Sequence, residues 1–218
     1  MKIYVEANIG AGKSTLLRLL GNRKLNNIRY IQEPVNEWLE TKDSTGKNIL
    51  EYFYENQNKW SFPFQMNSFI SRTHSIAESK DDVIFAERSV YTDKYCFAQN
   101  CYESGKMTEM EWNIYNKWHS WLVDSFKLKP EAYIYLRTSP QTCINRIKER
   151  SRNEESTIPL DYLEKLHQKH EEWLLDKNSD IPVLTIDAEK NLFDENELNS
   201  VVDQIDSFLK TNFNYNLV

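Results

Sequence analysis

Residues 3–15 read IYVEANIGAGKST, a short apolar run that leads into a glycine-containing loop. Gly12, Lys13 and Ser14 match the end of the phosphate-binding pattern G-x-x-x-x-G-K-[ST], and Ala7 stands where its first glycine is expected. In this pattern, backbone N–H groups at a helix N-terminus surround a phosphate, the lysine reaches the β- and γ-phosphates, and the serine hydroxyl binds Mg²⁺. Because the motif lies between a strand-like and a helix-like segment, the sequence predicts a nucleoside triphosphate site, and a chance glycine turn is the alternative.

Four more apolar runs follow, separated by longer amphipathic stretches that are typical of helices. These runs lack the polar–apolar alternation of a half-exposed strand, as expected for parallel strands that are buried on both faces. The predicted strands are Ile3–Glu6, Ile28–Gln32, Val83–Glu87, Ala132–Arg137 and Val183–Asp187. Alternation of strands and helices predicts a three-layer α/β fold with right-handed crossovers. Because no linker-like stretch divides the chain, residues 1–218 are expected to form one domain, with its phosphate loop at residues 6–15.

The composition argues against several functional classes. The chain carries 27 Lys and Arg against 33 Asp and Glu, and this net charge of −6 argues against general binding to nucleic acid or to an anionic membrane. Its longest apolar run, Ala132–Leu136, is far shorter than the roughly 20 residues of a membrane span. The three cysteines form no C-x-x-C pair, so reduced thiols in a cytoplasmic protein are expected rather than disulfides or a zinc site.

Charged residues stand at the ends of two other predicted strands. Glu33 precedes Pro34 at the end of the second strand, and Glu87 and Arg88 close the third. The carboxyl ends of parallel strands form the ligand crevice of an open α/β sheet, so these side chains are expected beside the phosphate loop. For Glu33 taken alone, a surface glutamate at a strand end is the plainer interpretation.

Three arginines lie close together in the second half of the chain. Arg146 and Arg150 share one helix face at a spacing of four residues, and Arg152 follows just beyond the helix end. Together with a phosphate loop they favour a cationic clamp on a transferring phosphoryl group. A solvated run of charge is the alternative.

Beyond the glycine loop, the chain carries four further motifs, namely Glu33-Pro34-Val35 with Trp38, Trp60-Ser61-Phe62 through Phe64-Gln65, Glu87-Arg88-Ser89-Val90-Tyr91 with Asp93, and Arg150-Ser151-Arg152-Asn153-Glu154-Glu155 continuing Ile158-Pro159-Leu160. Over nearly its whole length the chain therefore resembles the deoxyribonucleoside kinases of the deoxycytidine and deoxyguanosine kinase type. It departs from the family at Ala7, where glycine is usual, and at Phe53, a position facing sugar and base that varies among members. The resemblance implies a P-loop kinase fold with sheet order 2-3-1-4-5, an arginine-rich lid at about residues 148–158, and ATP-dependent phosphorylation of a nucleoside 5′-hydroxyl.

The resemblance also implies catalytic roles. Glu33 is expected to act as general base on the 5′-hydroxyl, while Arg88 holds Glu33 and the incoming phosphoryl group. Glu87 is expected to assist Ser14 at Mg²⁺. The residues expected to neutralise the transferring phosphoryl group are Lys13, Arg146, Arg150 and Arg152. The donor ATP is expected to contact Asn8, Ile9, Gly10, Ala11, Gly12, Lys13, Ser14 and Thr15, and the segment Asp187–Phe193 is expected to carry its adenine.

The nucleoside site is implied in the same way. Its base slot is expected to be lined by Trp38, Leu50 and Phe64, with Phe53 facing the sugar and the base. Gln65 is expected to bind the base edge, while Tyr54 and Glu155 bind the sugar 3′-hydroxyl and the Tyr54 ring disfavours ribose.

Base preference is expected to depend on Arg72 and Asp93. Within the family, an arginine and an aspartate at these positions accompany use of deoxycytidine and purine deoxynucleosides, so thymidine is expected to be a poor substrate. Ser68 shares a helix face with Gln65 and Arg72. A serine at this position resembles the deoxyguanosine kinases more than the deoxycytidine kinases, which favours purine substrates slightly. An ordinary surface pair between Arg72 and Asp93 is the alternative.

Partners and rival functions complete the expectations. The family is homodimeric through helix packing, which makes Ser89–Cys101 and Thr108–Phe126 candidate interface segments. A nucleoside monophosphate kinase is one rival, but it needs cations for an acceptor phosphate that Glu33 would repel. A non-enzymatic nucleotide-binding regulator is the weaker rival, because it does not need Glu33, Arg88 and Lys13 together.

Overall fold

The computed structural model of the chain describes residues 1–23, 28–79, 81–150, 155, 157–176 and 180–217. The lid expected at about residues 148–158 lies partly outside these ranges, and Arg152 lies outside them altogether.

Five parallel strands form one sheet, as the apolar runs predict. They are β1 (Lys2–Glu6), β2 (Ile28–Ile31), β3 (Val83–Glu87), β4 (Ala132–Arg137) and β5 (Val183–Asp187). The order across the sheet is β2-β3-β1-β4-β5, so the expected 2-3-1-4-5 arrangement is confirmed. Val5 of β1 pairs with Glu87 of β3, and Glu6 pairs with Tyr135 of β4, so the central strands end side by side at one edge of the sheet.

Helices connect and cover the strands. They are α1 (Lys13–Asn22), α2 (Val35–Glu40), α3 (Ile49–Glu55), α4 (Gln57–Ala77), α5 (Val90–Thr92), α6 (Gln99–Glu103), α7 (Glu109–Ser125), α8 (Pro140–Arg150), α9 (Leu160–Leu174) and α10 (Glu195–Phe213). Between α5 and α6, Asp93–Ala98 form a π-helix, a rare conformation that is frequent at functional sites. Within the described ranges, each helix is too short or too polar to cross a lipid bilayer.

Two apolar clusters form the core, one on each face of the sheet. Successive residues of a strand point to opposite faces, so Ile3 and Val5 join one cluster and Tyr4 joins the other. The first cluster includes Leu16 of α1, Ile144 of α8 and Ile205 of α10, and the second includes Phe69 of α4 and Tyr115 of α7. The predicted three-layer α/β architecture is therefore confirmed, and its helices leave the carboxyl ends of the strands open.

Candidate active site

The phosphate loop connects the central strand β1 to helix α1. Gly10 and Gly12 have positive φ angles of 80° and 104°, which glycine adopts without steric cost. A Cβ atom on Gly10 would lie 2.6 Å from the carbonyl oxygen of Cys143 in α8, so the loop is also packed closely from behind. Ala7 is buried and its φ is negative, so the absent first glycine is compatible with this loop conformation.

Lys13 occupies the first turn of α1 with its amine folded back onto the loop. Its Nζ donates to the Asn8 carbonyl oxygen at 2.9 Å, while the Asn8 side-chain amide donates to the Leu163 carbonyl oxygen at 2.8 Å. Burial, and secondly the charge of Arg88, lower the pKa of Lys13 to about 8 despite nearby carboxylates. The loop therefore holds a poorly solvated cation that can pair with an incoming phosphate.

Ser14 and Glu87 meet at the same edge of the sheet. The Ser14 hydroxyl donates to Glu87 Oε1 at 2.8 Å, and the Glu33 backbone N–H donates to Glu87 Oε2 at 3.4 Å. Among the described residues, His, Cys, Asp and Glu side chains form no group of three that could hold a metal ion. A single hydroxyl and carboxylate suit Mg²⁺ all the same, because this ion is usually bound by one or two carboxylates together with substrate phosphates and water.

Glu33, just beyond β2, lies between two buried arginines. Its Oε1 accepts a hydrogen bond from Arg72 Nη2 at 2.8 Å and lies 3.3 Å from Arg88 Nε, which is an ion-pair distance without hydrogen-bond alignment. Burial would raise the pKa of Glu33, but the charges of Arg88, Arg72 and Lys13 outweigh it and lower that pKa. The carboxylate is therefore ionised and fixed in orientation at the edge of the cavity.

Arg88 has an unusual backbone conformation at the end of β3. Its φ is +61°, a left-handed value that strains a residue with a side chain. This conformation directs the guanidinium inward, where Nη1 donates to the Ala7 carbonyl oxygen at 3.0 Å and the group lies 4.9 Å from the Phe97 ring centroid. Strain of this kind is typical of functional sites, where the surrounding structure must hold it.

Arg72 and Asp93 form a buried pair, as one of the two sequence interpretations holds. Arg72 Nε donates to Asp93 Oδ2 at 2.8 Å and Nη2 donates to Oδ1 at 3.1 Å, while the Ser68 hydroxyl lies 3.4 Å from Oδ1. Arg72 Nη1 also donates to the Glu87 carbonyl oxygen at 2.8 Å. The link from Arg72 to Glu33 was not expected from the sequence, and it joins the predicted specificity pair directly to the predicted base.

Aromatic side chains line one part of the cavity and form a flat slot there. Phe53 and Phe64 stack with ring centroids 4.6 Å apart, and Trp38 packs edge-on against Phe64 at 5.4 Å. Trp38 Nε1 donates to the Ser71 hydroxyl at 2.9 Å, which fixes the indole. Gln65 is only 1% exposed, and its Nε2 has no hydrogen-bond partner among the described residues. A buried, unpartnered amide beside a flat aromatic slot suits a ligand that has both a π-face and a polar edge.

A tyrosine and an ion pair contribute further polar groups to the cavity. Arg150, at the end of α8, pairs with Glu155, whose carboxylate is buried. Burial, and secondly the charge of Glu155, raise the pKa of Tyr54, so its hydroxyl stays neutral. Tyr54, Arg150 and Glu155 all line the cavity. They add hydroxyl, cation and carboxylate groups to the lining of the cavity.

Arg146 connects the phosphate loop to the segment after β5. Its Nη1 lies 3.3 Å from the Ala11 carbonyl oxygen and 3.0 Å from that of Ala188, and Nη2 donates to the Glu189 and Lys190 carbonyl oxygens at 3.1 and 3.2 Å. In this structure its donors are thus directed at the main chain, and its contact with phosphate stays a prediction.

The segment after β5 forms the outer rim of the cavity. The Phe193 ring is 67% exposed, and Arg18 of α1 lies 6.0 Å from its centroid. Asp187 does not line the cavity, because its carboxylate turns back to accept the Glu189 backbone N–H at 3.1 Å. The exposed Phe193 ring is therefore the group on this segment that a flat donor base can stack against.

One cavity of about 870 Å³ collects most of these groups. The expected residues that line it are Ile9, Gly10, Gly12, Lys13, Ser14, Thr15, Glu33, Trp38, Leu50, Phe53, Tyr54, Phe64, Gln65, Ser68, Glu87, Arg88, Asp93, Arg146, Arg150, Glu155 and Phe193. Asn8, Ala11 and Arg72 lie behind this lining and support it. Phe97 and Tyr162 also line the cavity, but the sequence did not predict them as site residues. Both are aromatic residues in helical segments, and their sequence context does not distinguish them from other such residues.

Known proteins match the chain over most of its length. A family model described as deoxynucleoside kinase matches residues 3–210. The chain is 40% identical to deoxycytidine kinase of Mus musculus, over 96% of this chain and 91% of that protein. It is 37% identical to probable deoxycytidine kinase of Fowlpox virus, over 95% of this chain and 88% of that protein. Mitochondrial deoxyguanosine kinase of Xenopus laevis is 35% identical over 87% of this chain and 82% of its own length. The resemblance inferred from the motifs is confirmed, and the chain belongs to the deoxynucleoside kinase family.

Proposed function

We propose that the chain transfers the γ-phosphoryl group of ATP to the 5′-hydroxyl of a deoxynucleoside, as a step of nucleotide salvage. The observation that carries this proposal is the single cavity that joins the phosphate loop, the Glu33 carboxylate and the aromatic slot. A nucleoside whose base enters the slot can direct its 5′-hydroxyl toward Glu33, with the donor phosphates on the loop beyond. Phosphoryl transfer depends mainly on such positioning and on charge stabilisation.

Glu33 serves as the general base in this proposal. Its lowered pKa makes it a weak base, which suits a loose phosphoryl-transfer transition state in which the hydroxyl proton leaves late. Its carboxylate accepts the hydroxyl hydrogen bond and fixes the attacking oxygen, while Arg88 lies close enough to contact both Glu33 and the arriving phosphoryl group. Arg150 and Arg152 are proposed to add positive charge at the lid, the second of them outside the described residues.

Ser14 and Glu87 are the residues proposed to hold Mg²⁺ with the donor phosphates. Bound there, the ion would neutralise negative charge on the β- and γ-phosphate oxygens. Lys13 would contact the same phosphates from the loop, and the exposed Phe193 ring would stack against the adenine. ATP is accordingly proposed as the phosphate donor.

Substituting Glu33 tests the proposal. Glu33→Gln is expected to retain ATP binding but to lower kcat by about 10²- to 10⁴-fold, the usual contribution of a general base. Glu37→Gln, an exposed substitution on the neighbouring helix α2, is the matched control and should leave kcat unchanged. The assay measures transfer from ATP to each of the four deoxynucleosides and to dCMP. Near-normal turnover of Glu33→Gln would assign the base elsewhere, and preference for dCMP would favour a nucleoside monophosphate kinase.

Deoxycytidine, deoxyadenosine and deoxyguanosine are the proposed acceptors, with thymidine disfavoured. Support comes from the similar proteins, which are named deoxycytidine and deoxyguanosine kinases, and from the buried Arg72–Asp93 pair. The pair occupies space near the base edge that a thymine methyl group would need, and its polarity suits exocyclic amino groups. Efficient thymidine phosphorylation by the unaltered protein would contradict this base preference while leaving the kinase assignment in place.

A homodimer that packs through α7 is also proposed. Met110, Ile114, Trp118 and Trp121 are exposed at spacings of four, four and three residues, which places them along one face of this helix. Such an apolar stripe marks an interaction surface. The other candidate segment, Ser89–Cys101, is mostly buried within the chain and offers less surface.

Light scattering during gel filtration tests the dimer. Trp118→Glu combined with Trp121→Glu should convert the dimer to a monomer, whereas Leu175→Glu, at an exposed leucine outside α7, should not. A monomeric unaltered protein would refute the proposal.

We also place the protein in the cytoplasm, because Cys96, Cys101 and Cys143 are all buried as free thiols.

A further inference from the structure

Glu6, the last residue of β1, is a fully buried carboxylate that the proposed reaction does not use. Its Oε1 accepts the Ser89 backbone N–H at 2.9 Å, and its Oε2 accepts the Thr92 hydroxyl. Ser89 in turn caps the following helix, because its hydroxyl accepts the Tyr91 and Thr92 backbone N–H groups at 3.2 and 3.3 Å. The carboxylate thus joins the strand of the phosphate loop to the turn that follows Arg88.

The contacts of Glu6 bear directly on the strained residue of the site. Arg88 has a φ of +61°, and its backbone N–H donates to the Val5 carbonyl oxygen at 3.0 Å. The peptide group on its other side ends in the Ser89 N–H, which Glu6 holds. Both peptide groups that flank Arg88 are therefore hydrogen-bonded to consecutive residues of β1, and a left-handed conformation persists only when its surroundings over-determine it.

We propose that Glu6 is a positioning residue that acts through Arg88, holding its left-handed backbone so that the guanidinium faces Ala7 and Glu33. Released from Glu6, Arg88 would relax toward an ordinary backbone conformation, which points its side chain elsewhere. A displacement of about 1 Å in a group that contacts the transferring phosphoryl costs on the order of 10²-fold in rate. The proposal rests on the proposed function, since it assumes that Arg88 acts in phosphoryl transfer.

Two substitutions of Glu6 separate positioning from charge. Glu6→Leu removes the acceptor and is expected to lower kcat by about 10- to 100-fold, with KM for the nucleoside changed less than threefold. Glu6→Gln keeps an acceptor oxygen for the Ser89 N–H and is expected to restore most of that loss. Ile205→Val, a buried substitution in α10 away from the site, controls for general loss of stability. Equal loss of kcat in both Glu6 variants, or a loss that Ile205→Val reproduces, would overturn the proposal.

A double-mutant cycle tests whether Glu6 acts through Arg88. In an Arg88→Lys background, Glu6→Leu is expected to have little further effect on kcat, because the group it positions is already gone. Multiplicative effects of the two substitutions would show that Glu6 acts independently of Arg88. If Glu6→Leu does not fold, Thr92→Val and Thr92→Ser replace it, since only the serine keeps the hydroxyl donor. Thr92→Val must then lower kcat and Thr92→Ser must not.

Arginine side-chain NMR separates this proposal from the proposed function. The Arg88 Nε–H is buried, and its exchange with water should be slow in the unaltered protein and in Glu6→Gln, and at least tenfold faster in Glu6→Leu. This measurement needs no turnover. If the unaltered protein phosphorylated no deoxynucleoside, the proposed function would fail while the exchange rates still decided the role of Glu6. Unchanged exchange in Glu6→Leu would refute the positioning role even in an active enzyme.

Discussion

Replacing Arg72 by methionine removes the centre of the buried charge network. Four hydrogen bonds are lost, two to Asp93 and one each to Glu33 and the Glu87 carbonyl oxygen. Asp93 then stays buried. Of the side-chain contacts described above for its carboxylate, the one to the Ser68 hydroxyl at 3.4 Å remains. Breaking a buried ion pair from one side costs about 3–5 kcal/mol of unfolding free energy. At about 2–4 °C per kcal/mol for a chain of this size, we expect Tm to fall by roughly 6–20 °C.

Removing both partners should cost less than the two single losses together. In Arg72→Met with Asp93→Ala no uncompensated carboxylate remains at position 93, so we expect a coupling energy of about 2 kcal/mol or more between the two sites. Chemical denaturation of the unaltered protein, the two single variants and the double variant measures this coupling energy. His74→Ala with Glu78→Ala provides the control at the C-terminal end of the same helix, because this exposed pair at 3.3 Å should show no measurable coupling.

The same four proteins report on the reaction. Because Arg72 also holds Glu33, kcat should fall in both variants that lack Arg72. The ratio of thymidine to deoxycytidine turnover should rise in the double variant, where the space of the pair is freed. Additive stabilities, below about 0.5 kcal/mol of coupling, would refute the energetic argument. An unchanged substrate ratio would refute its extension to base preference.

Three more predictions concern the donor side. Because burial and Arg88 lower the pKa of Lys13 to about 8, kcat/KM for ATP should decline as pH rises through 8, where the amine loses its charge, and a flat profile from pH 7 to 9.5 would contradict this. Gly10→Ala should lower kcat/KM for ATP by more than tenfold, because the added Cβ would lie 2.6 Å from the Cys143 carbonyl oxygen. Gly46→Ala is the control and should leave the rate nearly unchanged, because Gly46 has a similar positive φ but open space around its Cβ position. Arg152→Lys should lower kcat more than it raises KM for the nucleoside, because lysine cannot reproduce bidentate phosphate contact; the reverse result in steady-state kinetics would place Arg152 in the acceptor pocket.

The sequence by itself determined the sheet and the position of its phosphate loop. Buried parallel strands need continuous apolar runs, and a loop that surrounds phosphate needs residues such as Gly10 and Gly12, so both features are visible in short stretches of chain. Carboxyl ends of parallel strands meet at one edge, which is why the sequence alone predicts that Glu33, Glu87 and Arg88 lie close together.

Only the tertiary structure decided how these charged groups are connected. Arg72 lies on α4, 39 residues from Glu33, and its contact with that carboxylate depends on how the helix packs against the sheet. The same holds for Glu6 and Ser89, which are 83 residues apart. Hydrogen bonds of this kind require distances near 3 Å and aligned donors, and these follow from strand register and backbone dihedrals that residue spacing does not encode. The left-handed conformation of Arg88 is the clearest case, because nothing in the residue type favours it.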